Sequence, residues 1–306
     1  MSDFIDLAFR GRPRVIASAL LTGPDGVTIV DPGPTSCLPV LERGLRDRGL
    51  TLRDVRALLL THIHLDHSGA AGTIVERVPS VRVYVHDVGA PHMIDPTKLL
   101  ASATRLHGDQ MDKLWGAFLP LPAASVTSLA GGERLQVAGT SLRVAYTPGH
   151  AKHHVSYLDE VTGMAYVGDT AGVRLSGDFL LVPTPPPDID LEAWHSSVDV
   201  IDRWQPVSLF LTHFGPVTPA RAHLVRVHEE LDAARAAFEA SLKEGRTDEE
   251  RIQAFVTRLR QDARRTLPEH EAAAAELAAP FGQLWQGLAR YAKKEARNPV
   301  ARLPSR

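Results

Sequence analysis

The segment 61–69 constrains this chain more than any other, because four of the six residues from 62 to 67 have metal-binding side chains. These are His62, His64, Asp66 and His67. Imidazole and carboxylate groups are ligands that suit zinc, iron or manganese. The first two side chains are two residues apart and point to the same side of an extended segment, whereas the last two follow where the chain turns. One short loop could therefore serve two metal ions.

Three further candidate ligands follow at the ends of short apolar runs that are typical of β-strands. They are His150, Asp169 and His213. The run 55–60, which precedes the first loop, has the same apolar character. Loops at strand ends often carry functional groups on a rigid framework. We therefore expect all of these side chains to meet at one edge of a sheet.

The motif His62-x-His64-x-Asp66-His67, followed in order by a His, an Asp and a His, resembles the metallo-β-lactamase superfamily. The glyoxalase II-like hydrolase branch of that superfamily is the most similar part of it. Local matches include Asp31-Pro32-Gly33 after a strand. The resemblance covers residues 15–217. It implies an α/β fold, a four-layer αβ/βα sandwich with a two-metal site along one edge of its two sheets.

The resemblance also implies a set of ligands and a mechanism. The ligands are His62, His64 and His150 for one ion, Asp66, His67 and His213 for the other, and Asp169 as a bridge between both. Two divalent metal ions are expected, preferably zinc, with iron or manganese as alternatives. Such ions lower the pKa of a shared water to about 7 or below, which provides a bridging hydroxide as the nucleophile. Asp66 would also be catalytic, because it could accept or return a proton.

Several other residues near these motifs have open roles. We expect His154 to be a hydrogen-bonding residue and not a ligand, whereas His153 departs from the glycine that is usual in glyoxalase II-like sequences. Asp31 is implied to be a structural acid and not a ligand. Arg174 could contact an anionic substrate or lie on the surface. The segment 86–120 could lie over the metal ions.

The leading hypothesis is a dimetal hydrolase of an ester, thioester or lactone. Gly172 stands where quorum-quenching lactonases of the superfamily have a tyrosine, which argues against their mechanism. The basic residues 293, 294 and 297 do not form a recognisable glutathione-binding pattern. Two alternatives stay open: a persulfide dioxygenase with one iron, and a phosphodiesterase.

Composition and charge limit the partners and the compartment that the chain is expected to have. The net charge of −2 in 306 residues creates no field that would recruit nucleic acid or an anionic membrane, so neither partner is expected. Cys37 is the only cysteine, which excludes an intrachain disulfide and favours a reducing compartment. We see no signal peptide and no apolar run long enough to span a bilayer, so we predict a cytoplasmic protein. A homodimer is left open.

The chain divides into a predicted hydrolase domain, 1–218, and a helical region, 219–306. Within the first part, apolar spacing predicts a helix over 97–118, and the prolines of 176–190 predict a stiff, extended loop. In the second part, Thr247 to Glu250 forms a capping box, and a third helix is interrupted by Pro280.

Overall fold

A computed structural model describes residues 3–177, 179–243 and 247–297, and its framework is a pair of six-stranded sheets. The first sheet contains, in hydrogen-bonded order, β1 (Asp3–Asp6), β2 (Ala17–Gly23), β3 (Gly26–Val30), β4 (Val55–Leu59), β5 (Arg82–His86) and β6 (Val126–Leu129). The remaining strands are β7 (Arg134–Val137), β8 (Thr140–Tyr146), β9 (Val155–Asp159), β10 (Met164–Tyr166), β11 (Val173–Arg174), β12 (Leu180–Leu181), β13 (Ser208–Leu211) and β14 (Gly215–Val217). The second sheet has the order β14-β13-β10-β9-β8-β7, and β11 pairs with β12 separately.

The strand directions bring the candidate ligands to one edge. Strands β2 and β3 form an antiparallel hairpin that closes at the pair Gly23 and Gly26. From β3 to β6 the strands are parallel, so their carboxyl ends share one edge of the sheet. The loop 61–69 leaves this edge directly after β4.

Hydrogen bonds join the two sheets beside this loop. The Tyr157 hydroxyl donates to the Leu60 carbonyl at 2.8 Å, and the Val155 N–H donates to the Thr61 carbonyl at 2.8 Å. On the other side, the Ala17 N–H donates to the Thr212 carbonyl at 2.8 Å. Strand β9 is buried along its whole length. The predicted αβ/βα sandwich is therefore confirmed.

Helices pack against the sheets and around the edge where the two sheets meet. They are α1 (Leu38–Arg46), α2 (Leu65–Ser68), α3 (Ala71–Arg77), α4 (Ala90–Ile94), α5 (Thr97–His107), α6 (Met111–Trp115) and α7 (Leu191–Asp202). Helix α1 buries Leu38, Leu41 and Leu45 on one face, as helical spacing requires, and contacts β1. Helix α7 contacts β8 of the second sheet and buries Trp194 completely.

The sequence-based elements needed correction in two places. The single helix expected over 97–118 is wrong: α5 ends before Gly108, whose φ of 54° is a left-handed conformation that interrupts a helix, and α6 ends at Trp115. The sequence also does not predict strands β1, β6, β11, β12 and β14. They have two to four residues each, too few for a clear alternating pattern.

Four C-terminal helices follow the second sheet: α8 (Ala220–Leu242), α9 (Asp248–Thr266), α10 (Glu269–Ala278) and α11 (Phe281–Arg297). The capping box is confirmed, because the Glu250 N–H donates to the Thr247 hydroxyl at 3.3 Å and the Thr247 N–H donates to the Glu250 carboxylate at 3.1 Å. The third predicted helix is two helices with Pro280 between them. The domain boundary at 218 stays a prediction. In the described part of the chain, every helix is too short or too polar to cross a membrane.

Helix α11 packs closely against the proline-rich loop. The Thr184 hydroxyl donates to the Leu284 carbonyl at 3.1 Å. A Cβ at Gly287 would overlap the Thr184 carbonyl oxygen, so this helix position needs a glycine for a close backbone approach. A Cβ at Gly282, on the same helix, would meet only Ile252 at 3.8 Å, an ordinary contact.

We predict that Gly287→Ala destabilises the protein by about 2 kcal/mol, because the added methyl group forces the helix away from the loop. Gly282→Ala is the matched control and should change stability by less than about 1 kcal/mol, in the favourable direction. Urea unfolding followed by circular dichroism measures both. Equal free energies of unfolding for the two variants would contradict the packing described.

Candidate metal centre

Seven predicted ligands converge at the edge where the two sheets meet. The loop after β4 supplies His62 and His64, and the first turn of α2 supplies Asp66 and His67. The other three follow the carboxyl ends of β8, β10 and β13, and they are His150, Asp169 and His213. The structure thus brings together every residue that the motif indicated, although they span more than 150 residues of sequence.

Two groups of ligand atoms can be distinguished. The first donor set is His62, His64 and His150, and the second donor set is Asp66, His67 and His213. Within each set the ligand atoms lie within 4.8 Å of one another. In the first, His150 Nε2 is 3.0 Å from His64 Nδ1. In the second, Asp66 Oδ2 is 3.5 Å from His213 Nε2 and 3.8 Å from His67 Nε2.

Asp169 lies between the two donor sets and offers one oxygen to each. Its Oδ2 is 3.3 Å from His150 Nε2 in the first donor set. Its Oδ1 is 3.3 Å from His67 Nε2 and 3.5 Å from His213 Nε2 in the second donor set. This is the arrangement that a carboxylate bridging two cations requires.

These residues fit metal ions better than they fit one another. Four buried ligand atoms have no hydrogen-bond partner among the described residues: His62 Nε2, His67 Nε2, His213 Nε2 and Asp169 Oδ1. An unsatisfied buried polar atom costs about 1–3 kcal/mol, so four in one place need a compensating partner. Ligands bound tetrahedrally to zinc at about 2.0–2.1 Å lie ~3.3 Å apart. The observed separations of 3.0 to 3.8 Å match that spacing.

Hydrogen bonds on the outer side of the rings fix which nitrogen faces inward. The Nδ1–H of His150 donates to the Pro183 carbonyl at 2.8 Å, and the Nδ1–H of His213 donates to the Val15 carbonyl at 2.6 Å. A carbonyl oxygen can only accept, so Nδ1 carries the hydrogen and Nε2 is left as a ligand atom.

A buried carboxylate performs the same task for His67. Asp31 Oδ2 accepts from His67 Nδ1 at 2.8 Å and from the Thr212 hydroxyl at 2.8 Å. The Thr61 N–H and hydroxyl also donate to Asp31, at 2.8 and 2.7 Å. Asp31 therefore lies behind a candidate ligand and outside both donor sets, in the structural role that the resemblance implied.

The electrostatics favour cation binding. Burial lowers the pKa of the His64 imidazole to about 3, with the neighbouring His150 acting in the same direction, so the ring is neutral at pH 7. For His67, burial lowers the pKa, but Asp169, Asp66 and Asp31 raise it well above its ordinary value overall. The carboxylates thus require positive charge beside them, which either a proton or a metal ion can provide.

The neighbouring residues with open roles fall outside the donor sets. His154 is buried, and its ring contacts the Thr147 hydroxyl at 3.0 Å and accepts from the Asp169 N–H at 3.3 Å, so it supports the loop that carries Asp169. His153 accepts from the Ile63 N–H at 3.4 Å and lines a cavity beside the centre. Arg174 is not among the described residues that line this cavity.

The cavity has a volume of about 400 Å³ and opens onto the two donor sets through His64, Asp66, His150 and Asp169. Residues of the segment 86–120 line it, as the sequence suggested. The carbonyl groups of Pro183 and Val15 were missed at the sequence level, because a backbone oxygen leaves no side-chain signal.

Comparison with known proteins agrees with this geometry. A family model described as "Metallo-beta-lactamase superfamily" matches residues 11–244. The metallo-beta-lactamase fold-containing protein ST1585 of Sulfurisphaera tokodaii is 31% identical over 165 residues, which cover 53% of this chain and 61% of that protein. A hydroxyacylglutathione hydrolase of a Synechococcus species is 31% identical over 151 residues, which cover 49% of this chain and 47% of the relative.

The chain thus spans about half to three fifths of the length of these curated relatives. Among solved structures, a metallo-beta-lactamase family protein of Thermus thermophilus superposes with a TM-score of 0.67 at 24% identity. That superposition covers 92% of this chain and 89% of the other. It supports the fold and extends over most of both chains.

We predict that Asp31→Asn lowers the affinity for zinc by about 10- to 100-fold. Both carboxylate oxygens of Asp31 accept hydrogen bonds, from His67, Thr61 and Thr212, and the amide nitrogen of asparagine cannot accept one in place of the oxygen that it replaces. Competition with a chromogenic chelator measures the affinity. Asp159→Asn is the matched control, since Asp159 is also buried and accepts from the Val161 N–H at 2.8 Å, outside both donor sets. If Asp31→Asn binds zinc as tightly as Asp159→Asn, the assignment of Asp31 is wrong.

Proposed function

Because this chain belongs to the metallo-beta-lactamase superfamily, we propose that it is a hydrolase that uses two divalent metal ions, preferably zinc, to cleave an ester, thioester or lactone. The observation that carries the proposal is Asp169, which offers one carboxylate oxygen to each donor set. The similarity to a hydroxyacylglutathione hydrolase supports a thioester in particular.

Metal ions held by these residues would supply a water of lowered pKa and an electrophile for the scissile carbonyl. The first donor set would hold one ion, the second donor set the other, and Asp169 both. The ring orientations are set in advance by the Pro183 and Val15 carbonyls and by Asp31, so little reorganisation is needed when substrate binds.

Asp66 is the residue that we assign to proton transfer. Its side chain is 20% exposed and lines the cavity, whereas the side chains of His67 and His213 beside it are 0% and 1% exposed. Burial raises the pKa of Asp66, but His67 and His213 lower it below its ordinary range overall. The carboxylate is therefore ionised at neutral pH, and its position at the cavity, not its basicity, supports the assignment that it accepts a proton from the attacking water and returns it to the leaving group.

The two alternative functions that the sequence left open, a persulfide dioxygenase and a phosphodiesterase, have no comparable supporting observation. A persulfide dioxygenase that holds one iron through two histidines and one aspartate would leave several of the buried ligand atoms without a partner. A phosphodiesterase would use the same two donor sets, but the described residues that line the cavity are mainly apolar. The cytoplasmic location, the homodimer and the absence of nucleic-acid or membrane partners stay predictions.

We predict that His64→Ala and Asp66→Asn each lower kcat/KM for thioester hydrolysis by more than about 100-fold, because each removes a ligand and Asp66→Asn also removes the proton acceptor. The assay uses zinc-loaded protein, with circular dichroism to show that the fold is kept.

His195→Ala is the control, since His195 lies on α7 outside both donor sets and contacts His228 at 2.7 Å. Activity close to wild type in either ligand variant would contradict the proposed site. So would an equal loss of activity in the control.

A further inference from the structure

The cavity over the candidate metal centre is lined mainly by apolar side chains. They come from four separate parts of the chain: the loop 61–69, α5–α6, the proline-rich loop, and α10–α11 with the residues that connect them. The apolar lining residues include Ile63, Leu65, Leu99, Leu106, Trp115, Pro183, Pro185, Leu277, Ala279 and Leu284. An apolar lining contributed by four segments indicates a pocket built for an apolar group.

Leu106 lines the cavity without belonging to the packed core. It is half-buried and lines the cavity, but it is not among the described apolar side chains that pack against the core. By contrast, Leu99 and Leu100 on the same helix do pack against the core. An apolar side chain that faces a cavity instead of the core gains stability only when something apolar fills the space.

Trp115 gives the pocket a rigid side. It is 9% exposed, its ring stacks on Phe9 with centroids 5.5 Å apart, and the ring of His107 meets its face edge-on at 5.2 Å. The C-terminal helices and their connection contribute Ala279 and Leu284, which are 1% and 2% exposed. These parts of the lining are therefore packed into the core.

The charged side chains that line the cavity, apart from the donor sets and Asp169, lie toward the solvent. Lys98 and Arg105 are exposed, and Asp188 pairs with Lys152 at 3.1 Å. The lining also includes neutral polar side chains such as Ser102 and Gln283, but a polar or charged acyl group that reached the apolar part of the pocket would be buried without a partner there, which is costly. The cavity of about 400 Å³ also exceeds what a two-carbon acyl group can fill.

We infer that the substrate carries an extended apolar acyl group, a medium-length alkyl chain or an aromatic ring, and that this cavity holds it while the scissile carbonyl lies at the metal centre. This inference rests on the proposed hydrolase function. It assigns Leu106, Trp115 and Leu284 as residues that determine specificity.

The first experiment is a series of acyl thioesters of one thiol, from acetyl to octanoyl, with the zinc-loaded protein. Each methylene that enters the pocket should raise kcat/KM about three- to fourfold, until the pocket is full. Equal or higher kcat/KM for the acetyl thioester would overturn the inference.

A matched pair of variants shows whether this preference belongs to the cavity. Leu106→Asn keeps the number and branching of the side-chain heavy atoms but makes the side chain polar. It should lower kcat/KM for the octanoyl thioester about tenfold and change kcat/KM for the acetyl thioester by no more than about twofold. Leu100→Asn, on the core-facing side of the same helix, should leave the octanoyl-to-acetyl ratio unchanged. Identical ratios in both variants and the wild type would overturn the assignment.

A binding measurement separates this inference from the proposed function. Octanamide should bind metal-free wild-type protein in a saturable, one-site calorimetric titration, about tenfold more weakly to Leu106→Asn, and acetamide should not bind measurably. Octanamide binding without cleavage of an octanoyl thioester, an octanoyl ester or a medium-chain lactone would refute the hydrolase and keep the apolar pocket. Thioester cleavage without octanamide binding or chain-length preference would keep the hydrolase and overturn the pocket.

Discussion

The buried carboxylate of Asp169 lies among imidazole rings from three other strand ends and offers one oxygen to each donor set. Taking a carboxylate out of water is expensive unless positive charge and hydrogen bonds surround it. The sequence meets this demand by bringing the ends of β4, β8, β10 and β13 to one edge of two joined sheets. The sandwich is thus the framework that surrounds the buried Asp169 carboxylate with imidazole rings and so offsets the cost of taking it out of water. The hydrogen bonds between the two sheets lie beside the loop 61–69.

The C-terminal helices are connected to the same centre. The Leu284 carbonyl of α11 accepts from the Thr184 hydroxyl, and the adjacent Pro183 carbonyl accepts from His150. On α10, Glu271 accepts from the Ser176 N–H at 2.8 Å and pairs with Arg14 at 3.4 Å. The helices therefore both line the cavity and support the loop that orients His150, so the proposed substrate pocket and the candidate metal centre depend on the same contacts.

Much of this arrangement could be predicted from the sequence, because closely spaced ligands and strand-ending motifs are local signals. The loop from His62 to His67 and the capping box at Thr247 are examples. The features that the sequence does not predict depend on tertiary contacts. The backbone carbonyl partners of His150 and His213 carry no side-chain signal, and the interruption at Gly108 needs a backbone conformation that apolar spacing does not reveal. The apolar cavity joins segments that are far apart in sequence.

The central claim is that two metal ions share Asp169, and metal content per chain tests it most directly. Plasma mass spectrometry would be applied to wild-type protein purified without added metal and to Asp169→Ala. The account predicts close to two zinc, iron or manganese ions per chain in the wild type, and a clear loss in Asp169→Ala. A wild type that holds no more than one ion, or an Asp169→Ala variant that retains two, would contradict it.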